Sequence, residues 1–124
     1  MNQDYKENIQ IIINKIQPKQ IVSKITKKQI SEILTNLFEL EDMPEILAIN
    51  RGRTSVKGFI LIHKKILEFA IIFLKQENEL KMIADLYFGK HALVRNSTII
   101  IEENENEINI YLQENKQYLF SIYF

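Results

Sequence analysis

The strongest constraint on the fold is a pair of apolar segments within Ile66–Phe88, joined by the polar run Gln76–Glu79. In the first segment, Ile66–Leu74, apolar residues occupy both alternating sets of positions, which is typical of a central strand covered on both faces. In the second segment, Leu80–Phe88, apolar and polar residues alternate, which is typical of a strand buried on one face. The two segments therefore predict the central β-hairpin of an antiparallel sheet.

A short helix is the competing prediction for residues 79–88, because Asn78 would be its N-cap and Gly89 would follow its last turn. The polar run recurs, however, at residues 102–105 and 113–116, each time between β-branched or aromatic runs. Asparagine tolerates the left-handed backbone conformation that short hairpin loops require. We therefore predict a hairpin turn at all three copies and favour the strand for residues 79–88.

The N-terminal part of the chain, up to about residue 43, has helical periodicity. Apolar residues at helical spacing predict a first helix that ends before Pro18; they are Tyr5, Ile9, Ile12, Ile13 and Ile16. Thr26 and Gln29 form a capping box ahead of a second helix, which ends before Pro44. The apolar residues of Ile21–Ile25 are too few to assign. Further strands are predicted at residues 46–49, 56–63, 98–101, 108–112 and 118–124, whereas residues 92–94 are ambiguous.

These elements predict a single α+β domain, with a helical layer at residues 1–43 and a sheet at residues 44–124. Two N-terminal helices would pack on an antiparallel β-meander of about five to seven strands. Two helices cover only one face of a sheet, so either the sheet curls on itself or another chain covers the second apolar face. We expect a homodimer or larger assembly through the sheet.

Composition limits the cellular compartment and the classes of partner that we expect. The chain has no cysteine, which excludes disulfides and thiol catalysis, and its N-terminus lacks the layout of a signal peptide. We expect a cytoplasmic protein without membrane association. The net charge is zero, but residues 1–65 carry eleven Lys and Arg against seven Asp and Glu, and residues 66–124 carry five against nine. The acidic run Glu102–Glu107 is interpreted as a solvated hairpin tip.

Sequence motifs for cofactors, metals or catalysis are lacking. The three glycines, Gly52, Gly58 and Gly89, form no phosphate-binding loop, and no serine lies in a nucleophile elbow. His63 and His91 have no second metal ligand at a recognised spacing. We therefore predict no cofactor, no metal and no catalytic residue, and a chain that is more plausibly a binding protein than an enzyme.

Two surfaces could bind a partner. Alternation places Tyr87, Tyr111, Tyr123 and Asp85 on the more polar face of their strands, where tyrosines among polar groups would anchor a protein and the acids would favour a basic one. This surface supports our leading hypothesis, a small non-enzymatic protein-binding module of inhibitor, immunity or adaptor type.

The alternative surface is the basic hairpin of residues 51–65, whose candidate phosphate-binding residues are Arg51, Arg53, Lys57, His63 and Lys65. Helices followed by an antiparallel meander are similar in plan to small ribonucleases of the barnase and RelE type. That similarity implies a small metal-independent ribonuclease or an RNA-binding protein. A chain without net charge is a poor general binder of nucleic acid, so we consider this partner less probable than a protein.

Overall fold

The computed structural model describes residues 16–77 and 79–123, which form two helices and one antiparallel sheet of seven strands. The strands follow each other in the sheet in chain order, so the predicted antiparallel meander is confirmed. The helices are α1 (Pro18–Lys24) and α2 (Lys27–Phe38). The strands are β1 (Glu45–Arg51), β2 (Ser55–Ile62), β3 (Lys65–Gln76), β4 (Glu79–Phe88), β5 (His91–Asn104), β6 (Glu107–Leu112) and β7 (Gln117–Tyr123).

Helix α2 begins at the predicted capping box. The Gln29 amide donates to Thr26 Oγ1 at 3.1 Å, and the Thr26 amide donates to Gln29 Oε1 at 2.9 Å. Helix α1 was not predicted, because the apolar residues of Ile21–Ile25 are too few to assign and Pro18 was considered only as a residue that a preceding helix ends before. Proline is instead well suited to the first position of a helix, where its missing N–H would have had no partner, and Pro18 occupies that position. The predicted first helix lies outside the described residues, except for the buried Ile16.

The hairpin of β3 and β4 occupies the centre of the sheet, and residues 79–88 form the favoured strand. One face of the sheet, the inner face, packs against the helices and carries the core. Its fully buried members on these two strands are Phe69, Ile71, Phe73, Met82, Ala84 and Leu86. On the opposite, outer face of β3, Ala70 is 4% exposed whereas Ile66 is 63% exposed. The exposure of side chains on the outer face therefore varies along β3.

Strand β5 is longer than predicted, since only residues 98–101 were assigned to a strand and residues 92–94 were ambiguous. The structure has one strand of 14 residues. Its first part pairs with β4 as far as Ile99, and from Ile99 onward it pairs with β6. The polar residues Arg95–Ser97 do not interrupt the strand, because the ladder with β4 continues through them.

Helix α2 joins the two edges of the sheet. Ser31 Oγ donates to the carbonyl of Pro44, next to β1, at 2.7 Å, and Gln29 Nε2 donates to the carbonyl of Leu119 in β7. Gln29 and Ser31 are two residues apart, so they project on nearly opposite sides of α2, which is about 10 Å in diameter. The edges of a flat seven-stranded sheet would lie about 29 Å apart, too far for one helix to reach both. The sheet must therefore curl around α2, with its outer face pointing away from the helices.

Candidate functional site

Tyr87 and Asp85 lie on the outer face of β4. The Tyr87 hydroxyl donates to Asp85 Oδ2 at 3.2 Å, and Glu68 is the cross-strand neighbour of Tyr87. Burial, and then the negative charge and hydrogen bond of Asp85, raise the pKa of Tyr87 above its ordinary value. The phenol therefore stays protonated at neutral pH and keeps donating to Asp85, so this pair is a fixed feature of the outer face.

Tyr111 and Tyr123 lie on the outer face of β6 and β7, as alternation predicts, and a third tyrosine joins them. The rings of Tyr111 and Tyr118 meet edge to face, with centroids 5.6 Å apart. Simple alternation would put Tyr118 on the inner face with Phe120. The register of β7 shifts between these residues, so that Leu119 and Phe120 are both buried and Tyr118 faces outward opposite Tyr111. Sequence reasoning missed Tyr118 because no local pattern marks this bulge.

A chain of hydrogen bonds ties these aromatic residues to the polar residues between them. The hydroxyls of Tyr118 and Ser121 lie 2.7 Å apart, and Ser121 Oγ donates to Asn109 Oδ1. Asn109 Nδ2 in turn donates to Glu107 Oε1 at 3.5 Å. We call this surface the tyrosine face and define it as Tyr111, Tyr118 and Tyr123 with Asn109 and Ser121. Its polar groups bond to each other and leave the aromatic rings available.

The rings of the tyrosine face are presented to solvent. Tyr118 is 49% exposed and Tyr123 is 73% exposed, whereas Tyr111 is half-buried. Tyr123 lies opposite Glu107 and lines a shallow groove of about 480 Å³ with residues 104–107 at the tip of the β5–β6 hairpin. One end of the tyrosine face is therefore acidic.

Tyr87 and Asp85 do not belong to the same cluster as the tyrosine face. The partner of Tyr87 in β5 is Ala92, whereas the partner of Tyr111 is Ile100. Eight residues of extended strand separate these two positions, a distance of about 26 Å. The predicted surface is thus divided into two parts at opposite ends of β5.

The candidate phosphate-binding residues are not brought together either. The guanidinium of Arg51 donates to the carbonyl of Val22 in helix α1. Arg53 lies in the turn before β2, while His63 lies in the turn after it, 3.6 Å from the Asp42 carboxylate. Of the remaining two, Lys57 lies within β2 and Lys65 begins β3. Arg53 and His63 are therefore at opposite ends of an eight-residue strand, too far apart to contact one phosphate.

Among residues 16–77 and 79–123, no group of three or more His, Cys, Asp or Glu side chains is arranged to hold a metal ion. Neither helix in this part of the chain has the length and apolar character needed to cross a membrane. Comparison with known proteins found no protein-family model, no curated protein and no solved structure that matches this chain.

Proposed function

We propose that this chain is a small protein-binding module whose partner docks on the tyrosine face. The observation that supports the proposal is the combination of exposed rings with bonded hydroxyls: Tyr118 is 49% exposed, yet its hydroxyl is 2.7 Å from Ser121 Oγ. Tyrosine has few rotatable bonds, so a ring that is already oriented loses little entropy when a partner covers it. Such residues are typical of the energetically dominant contacts in protein interfaces.

The charge around the tyrosine face favours a basic partner. The β5–β6 hairpin carries Glu102, Glu103, Glu105 and Glu107, and Glu107 lies directly opposite Tyr123. Charges of opposite sign across an interface accelerate association and disfavour wrong partners. A partner with an exposed Lys or Arg side chain near an apolar contact would therefore complement both parts of this surface.

The experiment is recovery of the partner on the immobilised chain, followed by titration of the purified partner against variants. Tyr118→Ala and Tyr123→Ala are each expected to weaken binding by roughly 30-fold, because truncation of an anchor residue costs about 2 kcal/mol or more. The melting temperature of each variant reports whether the fold is intact.

Phe59→Ala is the matched control, because Phe59 is 47% exposed on the outer face of β2, four strands away from β6. This variant should bind as the unmodified chain does. The proposal fails if all three variants bind equally well, or if the tyrosine variants lose binding only because they unfold.

A further inference from the structure

Glu107 lies between two cross-strand neighbours on the outer face of the sheet, at the tip of the β5–β6 hairpin. Its partner in β5 is Asn104, and its partner in β7 is Tyr123. Paired residues on neighbouring antiparallel strands share a face, with Cβ atoms about 5 Å apart. The carboxylate of Glu107 is therefore adjacent to the ring of Tyr123. We call Asn104, Glu107 and Tyr123 the hairpin-tip site.

The carboxylate of Glu107 is oriented by two side-chain amides. Asn104 Nδ2 donates to Oε1 at 3.3 Å, and Asn109 Nδ2 donates to the same oxygen at 3.5 Å. A carboxylate oxygen has about two lone-pair sites, so these two bonds occupy Oε1 and leave Oε2. Among residues 16–77 and 79–123, no ion pair involves Glu107. Its second oxygen is thus available to a donor from outside the chain.

The ring of Tyr123 supplies an aromatic surface beside this carboxylate. Tyr123 is 73% exposed and lines the shallow groove of about 480 Å³ together with residues 104–107. A cation over the face of an aromatic ring is attracted by the negative charge of that face. A carboxylate next to the ring adds a charge-assisted hydrogen bond to the same cation. The two side chains together therefore form a site for a positively charged group.

The charged residues around the hairpin-tip site are acidic. The sequence has no Lys, Arg or His between Arg95 and Lys116, and none after Lys116. Strands β6 and β7, and the part of β5 that pairs with β6, lie within these two stretches. The strands on either side of Glu107 therefore bring no cation to it. A cation from a partner would complement the charge of this site.

We infer that the hairpin-tip site binds an arginine side chain of the partner, whose guanidinium stacks on the Tyr123 ring and donates to Glu107 Oε2. The guanidinium is planar and carries its N–H groups at its edge, so it can lie on a ring and reach a carboxylate at once. A lysine ammonium has no flat face and is more strongly hydrated. The inference rests on the proposed function, because it names the side chain that the partner presents at one end of the tyrosine face.

The first test titrates N-acetyl-arginine amide into the isotope-labelled chain and follows the backbone amide signals by NMR. The shifts should saturate and be confined to residues 104–107 and 123. N-acetyl-lysine amide should bind at least about twofold more weakly, because only the guanidinium can stack and donate at once. N-acetyl-citrulline amide has nearly the same shape without the charge and should give no saturable shift. Equal binding of the arginine amide and either of the other two, or shifts elsewhere in the chain, would overturn the inference.

The second test uses variants of the site, with the fold of each checked by its NMR spectrum. Glu107→Gln and Tyr123→Leu should each weaken binding of the arginine amide roughly fivefold. Glu103→Gln is the matched control: it removes the same charge from an exposed residue, but the cross-strand partner of Glu103 is the buried Ile108 on the inner face. This control should bind as the unmodified chain does. If it loses as much affinity as Glu107→Gln, general acidity attracts the cation and the inference is wrong.

These outcomes can be told apart from those of the proposed function. Tyr118 lies five positions from Tyr123 along β7, so Tyr118→Ala should leave binding of the arginine amide unchanged. If the arginine amide does not bind, but Tyr118→Ala still weakens the recovered partner, only the inference fails. If the partner binds Tyr118→Ala and Tyr123→Ala normally, the proposed function fails, whatever the arginine amide does.

Discussion

Arg51 illustrates how the role of a residue depends on its partner. In the sequence it is a candidate phosphate-binding residue, but its guanidinium donates to the carbonyl of Val22 in the last turn of α1. The amide that would normally satisfy this carbonyl, that of Thr26, donates to Gln29 instead. Carbonyls at the end of a helix need a partner from outside the helix, and a cation is favoured there. Arg51 thus satisfies a carbonyl at the C-terminal end of α1.

We predict that Arg51→Ala lowers the free energy of unfolding by about 1–2 kcal/mol, because it leaves a helix carbonyl without its charged donor. Arg53→Ala is the control, since Arg53 is exposed in the adjacent turn, and it should change stability by no more than about 0.5 kcal/mol. Urea unfolding of the two variants provides the measurement. Equal stability of both variants would show that the Arg51 hydrogen bond contributes nothing to the fold.

Among the secondary-structure elements, α2 binds to both edges of the sheet through its side chains. Gln29 accepts from the Thr26 amide within the capping box and also donates to the carbonyl of Leu119 in the edge strand β7. Asn36 Nδ2 makes a second bond to β7, to Gln117 Oε1. One face of the helix thus holds the edge strand β7 through one backbone carbonyl and one side-chain oxygen.

We predict that Gln29→Glu destabilises the protein by about 1–3 kcal/mol, although it preserves the capping box. The glutamate still accepts from the Thr26 amide but cannot donate to Leu119, and it places a carboxylate against that carbonyl. The matched control is Gln20→Glu, because Gln20 Oε1 accepts from the Gln17 amide in the same way at the exposed start of α1. Chemical denaturation should separate the two variants. If both are as stable as the unmodified chain, the helix does not hold β7 through Gln29.

At the scale of the whole molecule, β5 runs from an end of mixed charge to an acidic end. Its 14 residues span about 45 Å. Lys90 and His91 lie at its start, on the same side of the molecule as the Lys64–Lys65 turn and the acidic Glu39 and Glu41, while Glu102–Glu107 lie at its other end. The described part of the chain therefore presents a concentrated acidic cluster at one end, although the net charge of the whole chain is zero.

We predict that the chain is retained weakly at pH 7 and low salt on an anion exchanger, because the resin meets the acidic end. Replacement of Glu103 and Glu105 by Gln should abolish retention on the anion exchanger. Replacement of Glu39 and Glu41 by Gln changes the net charge equally, but at the end of mixed charge, and should preserve retention. If the two double variants elute identically, the position of the acidic residues has no effect on retention by the resin.

Several features were predictable from the sequence because they depend on neighbouring residues. The capping box of α2 involves residues three apart, and the alternation within β4 and β6 fixes which side chains share a face. Tyr111 and Tyr123 could therefore be assigned to one surface before the fold was known. The same local logic did not predict α1, because Pro18 is compatible both with the end of one helix and with the first position of the next.

The curl of the sheet and the composition of the tyrosine face were decided by tertiary structure alone. Tyr118 faces outward only because β7 shifts its register at Leu119, the residue whose carbonyl binds Gln29, 90 positions earlier in the chain. The separation of Tyr87 from Tyr111 likewise follows from the pairing of β5 with two different strands. Periodicity describes which side of its own strand a residue occupies, whereas distances between surfaces depend on long-range pairing that no short stretch of sequence contains.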